Sequence, residues 1–106
     1  MVHHIHFLKL KNAVTPEQVE NLMVETRIRL LKISEIMNLH VGKRIDANDD
    51  GHQVFFSFDV ENMAKLGIVW DDAVYIKFKH QILTQFVEWE KSLNFEMEPG
   101  KDITYS

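Results

Sequence analysis

The stretch VHHIHFLKLK, residues 2–11, decides the fold, because its side chains alternate between the two faces of a strand. One face carries Val2, His4, His6, Leu8 and Leu10, and the opposite face carries His3, Ile5, Phe7, Lys9 and Lys11. A period of two predicts a β-strand. Apolar residues on both faces predict that the sheet is covered on one face and at least partly on the other.

A helix is predicted directly after this strand. Thr15 can cap its start, Pro16 suits the first helical position, and Gln18 completes a capping box. The residues that follow at helical spacing predict a core-facing stripe: Val19, Leu22, Met23, Thr26, Leu30 and Ile33.

The remaining segments predict a hairpin, a second helical region and a last strand. Residues 39–45 and 54–60 are predicted strands around a polar turn at 46–51. A short helical turn at 61–66 is expected to end near Gly67. A long helix capped by Asp71 or Asp72 is expected to present an apolar face as far as Leu93, with a strand at 93–97. The order βαββαβ predicts a ferredoxin-like α+β fold, a four-stranded antiparallel sheet with two helices on one face.

Length and composition limit the classes of function. The 106 residues predict one domain, 1–106, with 98–106 as a C-terminal extension. A net charge of −4 argues against nucleic-acid binding, and no apolar run is long enough for a membrane span. The chain has no cysteine, so disulfides are excluded and the cytoplasm is the expected location. No cofactor is expected.

The two-sided apolar character of the first strand predicts a partner. Helices cover only one face of such a sheet, and a bare apolar face of this size is unfavourable in water. A second copy of the chain is the simplest cover, so we expect a symmetric homodimer.

Three segments, taken in order, carry a resemblance to a known family: HHIHFLKLK, IMNLHVGKRI and GHQVFFSFDV. With the aromatic helix that follows, they resemble the stress-responsive dimeric α/β-barrel (Dabb) family. The resemblance implies a ferredoxin-like subunit that dimerises sheet to sheet into a barrel. One plant member is a polyketide cyclase that uses a first-strand histidine together with a histidine and a tyrosine of the last helical region.

The resemblance matches one catalytic histidine of the cyclase directly and the other only after a shift in the alignment. The first-strand histidine matches His4. The family's Tyr-x-x-His-Pro-x-His is replaced here by YIKFKH, residues 75–80. Direct alignment puts Phe78 at the position of the cyclase histidine, and only a local shift brings His80 there. Catalytic roles are therefore predicted for His4 and, through this shifted match, for His80.

The candidate site combines histidines with an aromatic wall. His4 and His6 share a strand face, where they could be a hydrogen-bonded pair, an acid/base or ligand-binding pair, or two metal ligands awaiting a third. We predict ligand binding without a metal. The predicted aromatic walls of a cavity between helices and sheet are Tyr75, Phe78, Phe86 and Trp89.

Three functions remain open at this point. The first is a homodimeric protein that binds a small hydrophobic or aromatic molecule. The second is a cofactor-free enzyme, cyclase-like or monooxygenase-like, that uses His4 or His6 as a base. The third is a structural oligomer without a ligand.

Overall fold

A computed structural model describes residues 1–46 and 53–98 of the chain. The predicted turn at 46–51 and the predicted C-terminal extension at 98–106 lie outside the described residues, apart from the first residue of each.

The described elements follow the predicted βαββαβ order. Strand β1 spans Val2–Leu10, helix α1 Pro16–Leu30, strand β2 Met37–Lys43 and strand β3 Val54–Val60. The second helical region consists of α2 (Met63–Asp71), α3 (Ala73–Phe78), a π-helical segment (Lys79–Leu83) and the short α4 (Thr84–Phe86). Strand β4 spans Val87–Glu96, and the antiparallel sheet has the order β2-β3-β1-β4. The predicted ferredoxin-like α+β fold is confirmed.

Helix α1 begins as the sequence predicts. The Thr15 hydroxyl accepts a hydrogen bond from the Gln18 backbone N–H at 3.2 Å, and the Gln18 side chain accepts one from the Thr15 N–H at 2.8 Å. These two bonds satisfy backbone donors that the first turn leaves without partners. The capping box therefore fixes where the chain leaves the loop after β1.

The core lies between the helices and one face of the sheet. Leu8, Phe56 and Phe58 from the central strands are completely buried there, and Leu22 and Leu30 from α1 are buried against them. The Thr26 hydroxyl, also buried, donates to the Leu22 carbonyl at 2.7 Å, so this polar group does not weaken the core.

The end of the helical region differs from the sequence-based expectation. The last helix was expected to reach Leu93, but it ends at Phe86, and β4 begins at Val87. From Trp89 onward the side chains alternate as in a strand, and β1 supplies a pairing partner along almost the whole segment. Helix α2 also passes through Gly67, where an added Cβ would meet no neighbouring atom within 4 Å, and continues to Asp71.

The second face of the sheet carries apolar side chains that the chain itself leaves exposed. Trp89, Leu93 and Phe95 of β4 are 41%, 39% and 49% exposed, next to half-buried Ile5 and Phe7 of β1. We call this the outer face. Within the described ranges, no helix has the length and apolar character needed to cross a membrane.

Candidate functional site

A cleft of about 550 Å³ opens where the helical region passes over the edge of the sheet. Its floor is formed by β1 and β4, because the register places Asn94 opposite His4 and Ser92 opposite His6. From Glu90 onward, the side of β4 that faces the helices is polar: Glu90, Ser92, Asn94 and Glu96. The edge strand therefore lines a solvent-accessible cleft instead of extending the apolar core.

Four side chains on the cleft floor form one continuous hydrogen-bonded chain. Asn94 Oδ1 lies 2.6 Å from His4 Nδ1, His4 Nε2 lies 3.0 Å from His6 Nδ1, and His6 Nε2 lies 3.0 Å from Glu90 Oε1. His4 is fully buried and His6 is 5% exposed. Every ring nitrogen of this buried pair has a partner, as buried polar groups require.

The surroundings of this hydrogen-bonded chain determine the charges of His4 and Glu90. Burial lowers the pKa of His4 to about 4, although the hydrogen bond with Asn94 opposes this and neighbouring His6 and His3 add to it. The hydrogen bond with His6 lowers the pKa of Glu90, although partial burial opposes it. At neutral pH, His4 is an uncharged imidazole and Glu90 a carboxylate.

Aromatic rings form the opposite wall of the cleft. The Trp70 ring stands edge-on to His4, with centroids 4.9 Å apart, and packs on Tyr75 at 4.6 Å. Both residues line the cleft together with Ile76 of α3. Such a wall suits a flat, apolar ligand whose polar end reaches the histidines.

Tyr75 is a buried residue whose hydroxyl has no hydrogen-bond partner in the described part of the chain. Its side chain is 5% exposed, and the hydroxyl makes no hydrogen bond to any of the described residues. Burial, reinforced by the Glu90 carboxylate, raises the pKa of this phenol above its usual range, so it is a neutral donor. A buried hydroxyl beside a cleft commonly meets water or a ligand.

His80 reaches the same cleft from the π-helical segment. A π turn holds one more residue than an α turn, and such segments are frequent at functional sites. The His80 ring is exposed and makes no hydrogen bond within the described part of the chain.

The structure thus brings some predicted site residues together and separates others. His4, His6, Tyr75 and His80 line one cleft. Phe78 lies behind it, 5.9 Å from the Tyr75 ring, and Phe86 is buried in the core. Trp89 does not form a cleft wall as predicted, because it lies on β4, where it is paired with Lys9 on the outer face.

Three site residues were missed from the sequence, each for a different reason. Trp70 was missed because α2 was expected to stop near Gly67. Glu90 was missed because the predicted helix includes residues 87–92, and Asn94, which lies in the predicted strand 93–97, was missed because no local pattern shows that it pairs with His4. The alternation of residues 87–96 was the signal that could have revealed Glu90. Among residues 1–46 and 53–98, no group of three or more histidine or carboxylate side chains could hold a metal ion.

Comparisons with solved structures confirm the fold. A Dabb family protein from Mesorhizobium loti, with a ferredoxin-like fold, superposes with a TM-score of 0.79 at 16% identity over 92% of this chain and 96% of that one. A dimeric ferredoxin-like protein of unknown function from Bacteroides fragilis gives 0.74 at 19% identity over 91% and 95%.

A hydroxynitrile lyase from Passiflora edulis is also similar, with a TM-score of 0.78 at 14% identity over 95% of this chain and 96% of the lyase. A comparison with the curated proteins finds no match. The family model of the stress responsive A/B barrel domain matches residues 2–99. The chain therefore belongs to the stress responsive A/B barrel (Dabb) family.

Proposed function

We propose that the cleft binds a small, flat, largely apolar molecule that carries a hydroxyl or carbonyl group at one end. The Trp70 and Tyr75 rings form the apolar wall, and His4 and His80 lie beside the polar end of the ligand. The observation that carries this proposal is Tyr75, a nearly buried residue that lines the cleft and whose hydroxyl has no hydrogen-bond partner among the described residues. A ligand oxygen would supply that partner.

We further propose that the working unit is a homodimer in the cytoplasm. Exposed Trp89, Leu93 and Phe95 give the outer face an apolar surface that a second sheet would cover. The similar Bacteroides fragilis protein is dimeric. The absence of cysteine from the chain supports a reducing compartment.

The binding proposal is tested by calorimetric titration with phenol, benzaldehyde and benzoate. We expect at least one of these probes to bind the wild-type protein, and Trp70→Leu to weaken that binding about tenfold. Trp89→Leu is the matched control, because this residue lies on the outer face, and it should bind as the wild type does. If none of the probes binds, or if both variants lose affinity equally, the cleft is not the binding site.

A second candidate function is a cofactor-free acid–base enzyme. It is favoured by the arrangement of His4, Tyr75 and His80, which come from β1, α3 and the π-helical segment to one cleft. Two imidazoles and a neutral phenol can remove a proton from a substrate and stabilise the developing oxyanion. The fold likewise supports an enzyme in the Passiflora edulis lyase.

Mandelonitrile provides a direct assay for this second candidate. Loss of the hydroxyl proton to a histidine, with cleavage of the carbon–cyanide bond, yields benzaldehyde and cyanide, which takes up a proton. We expect benzaldehyde release above the buffer rate, reduced at least tenfold in His4→Phe and in His80→Gln. Release at the buffer rate would count against this reaction and leave the binding function as the conclusion.

A further inference from the structure

The hydrogen-bonded chain of the cleft floor can hold one additional proton without losing any hydrogen bond. With the Asn94 oxygen facing His4, the Nδ1–H of His4 donates to it, and His4 Nε2 accepts from His6 Nδ1–H. His6 then also donates from Nε2 to Glu90, so it is an imidazolium facing a carboxylate.

The four side chains also keep all of their hydrogen bonds when that proton is removed. Glu90 as a carboxylate can only accept, so His6 keeps its Nε2–H and presents a bare Nδ1 to His4. His4 then donates from Nε2, and its Nδ1 carries the lone pair on the side of Asn94. A half turn of the Asn94 amide offers N–H to that lone pair. The two states differ by one proton and one amide rotation.

We propose that His4, His6 and Glu90 form a proton relay, in which the Asn94 amide occupies His4 Nδ1 until a ligand hydroxyl replaces it and Glu90 acts as the positioning residue that makes this nitrogen the base. The ligand hydroxyl gives its proton to His4 Nδ1 and becomes an oxyanion, while the His4 Nε2 proton passes to His6 Nδ1. The proton then resides in the His6–Glu90 ion pair at the exposed end of the chain. This proposal rests on the proposed cleft as the binding site, and it narrows the ligands to weakly acidic hydroxyl compounds.

Burial and charge favour movement of the proton from His4 towards Glu90. His4 is fully buried, so an imidazolium is unfavourable there, whereas Glu90 is partly exposed and its carboxylate faces His6 directly. The other ionisable groups that bear on the relay are His80, Lys79 and Tyr75 across the cleft and His3 on β1. None of these is hydrogen-bonded to the chain of four.

The test uses para-nitrophenol, whose absorbance reports whether the bound phenol is ionised. We expect the wild-type protein to bind it partly as the phenolate at a pH where the free compound is protonated. Glu90→Gln, which keeps the shape but loses the charge, should bind the phenol and reduce the ionised fraction about tenfold. Glu90→Asp should partly restore it, and Glu88→Gln, which alters a carboxylate paired with Lys9, should behave as the wild type.

Equal ionisation in Glu90→Gln and wild type would overturn the relay while leaving the binding proposal intact. If para-nitrophenol does not bind, the ligand-free protein still decides the question. Nitrogen-15 spectra of the imidazoles should then show His4 changing tautomer at the same pH at which the His6 Nδ1 gains or loses its proton in the wild type, and the two changes should be uncoupled in Glu90→Gln. Independent titration in the wild type would refute the relay.

Discussion

At the residue scale, His4 has properties that the sequence only partly predicts. Its position on the helix-facing side of β1 follows from the alternation of residues 2–11. Its partner Asn94 lies 90 positions away in the sequence, and strand pairing alone brings the two together. The local pattern therefore identifies a buried histidine but does not identify the chain of four to which it belongs.

The stability of the protein should fall as the pH is lowered from about 6.5 towards 4. The folded pKa of His4, about 4, lies below its unfolded value, so the unfolded state binds more protons in this window. The stabilisation is therefore complete above the unfolded pKa and is lost as the pH approaches the folded one. We expect a loss on the order of 2 kcal/mol, measured by urea denaturation across the window.

His4→Phe is the matched control for this pH dependence. It keeps an aromatic ring beside Phe58 and Trp70 but removes the titrating group. Its denaturation midpoint should change little between pH 6.5 and pH 4.5. The lowered pKa values of Asp59 and Glu90 belong to carboxyl groups, and their effect on stability appears only at more acidic pH. An equally steep loss in His4→Phe would assign the effect to another group.

Tyr75→Phe should separate binding from stability. The hydroxyl has no partner in the described chain, so its removal should leave the free energy of unfolding unchanged or raise it by up to about 1 kcal/mol. Affinity for the phenol probe should fall about tenfold, because the ligand loses a buried donor. Denaturation and calorimetric titration of the same variant measure the two effects. A clear loss of stability would show that the hydroxyl has a structural role.

At the element scale, helix starts were predicted well because capping is local, whereas the switch from helix to strand at Val87 was not. The apolar residues 75, 78, 82, 86, 89 and 93 fit a helical stripe, while residues 87–96 also alternate as a strand. The choice depends on the free edge of β1, which pairs with β4 from Val2 to Leu10. Pairing of β4 with β1 overrides the helical pattern of residues 87–93. No local sequence signal shows that the edge of β1 is available for this pairing.

The capping box of α1 should contribute measurable stability. Thr15→Ala removes the side-chain acceptor for the Gln18 N–H, and we expect it to lower the free energy of unfolding by about 1 kcal/mol. Thr15→Ser keeps the acceptor and should retain most of the stability. Urea denaturation of the three proteins provides the comparison. A Thr15→Ala variant as stable as Thr15→Ser would mean that Gln18 and Pro16 suffice to start the helix.

At the scale of the whole molecule, the two faces of the sheet have different roles. The helix-facing side contains the core and the cleft. The outer face combines apolar side chains with a hydrogen-bonded pair, His3 Nδ1 and Asp59 Oδ1 at 2.6 Å, which Asn38 extends by donating a hydrogen bond to Asp59. Because these polar groups have partners within the chain, a second sheet could cover them without leaving a charge unpaired.

The proposed homodimer predicts that the effect of introducing a charge depends on which surface is changed. Phe95→Glu places a carboxylate in the outer face, and we expect sedimentation to show the mass of one chain where the wild type shows two. Leu31→Glu alters a comparably apolar but more exposed residue, 69% against 49%, at the end of α1 away from the sheet, and it should remain dimeric. A monomeric wild type, or dimers in both variants, would exclude sheet-to-sheet association. The two-sided alternation of residues 2–11 would then require another explanation, because burial of the outer face is the reason for apolar residues on both sides of β1.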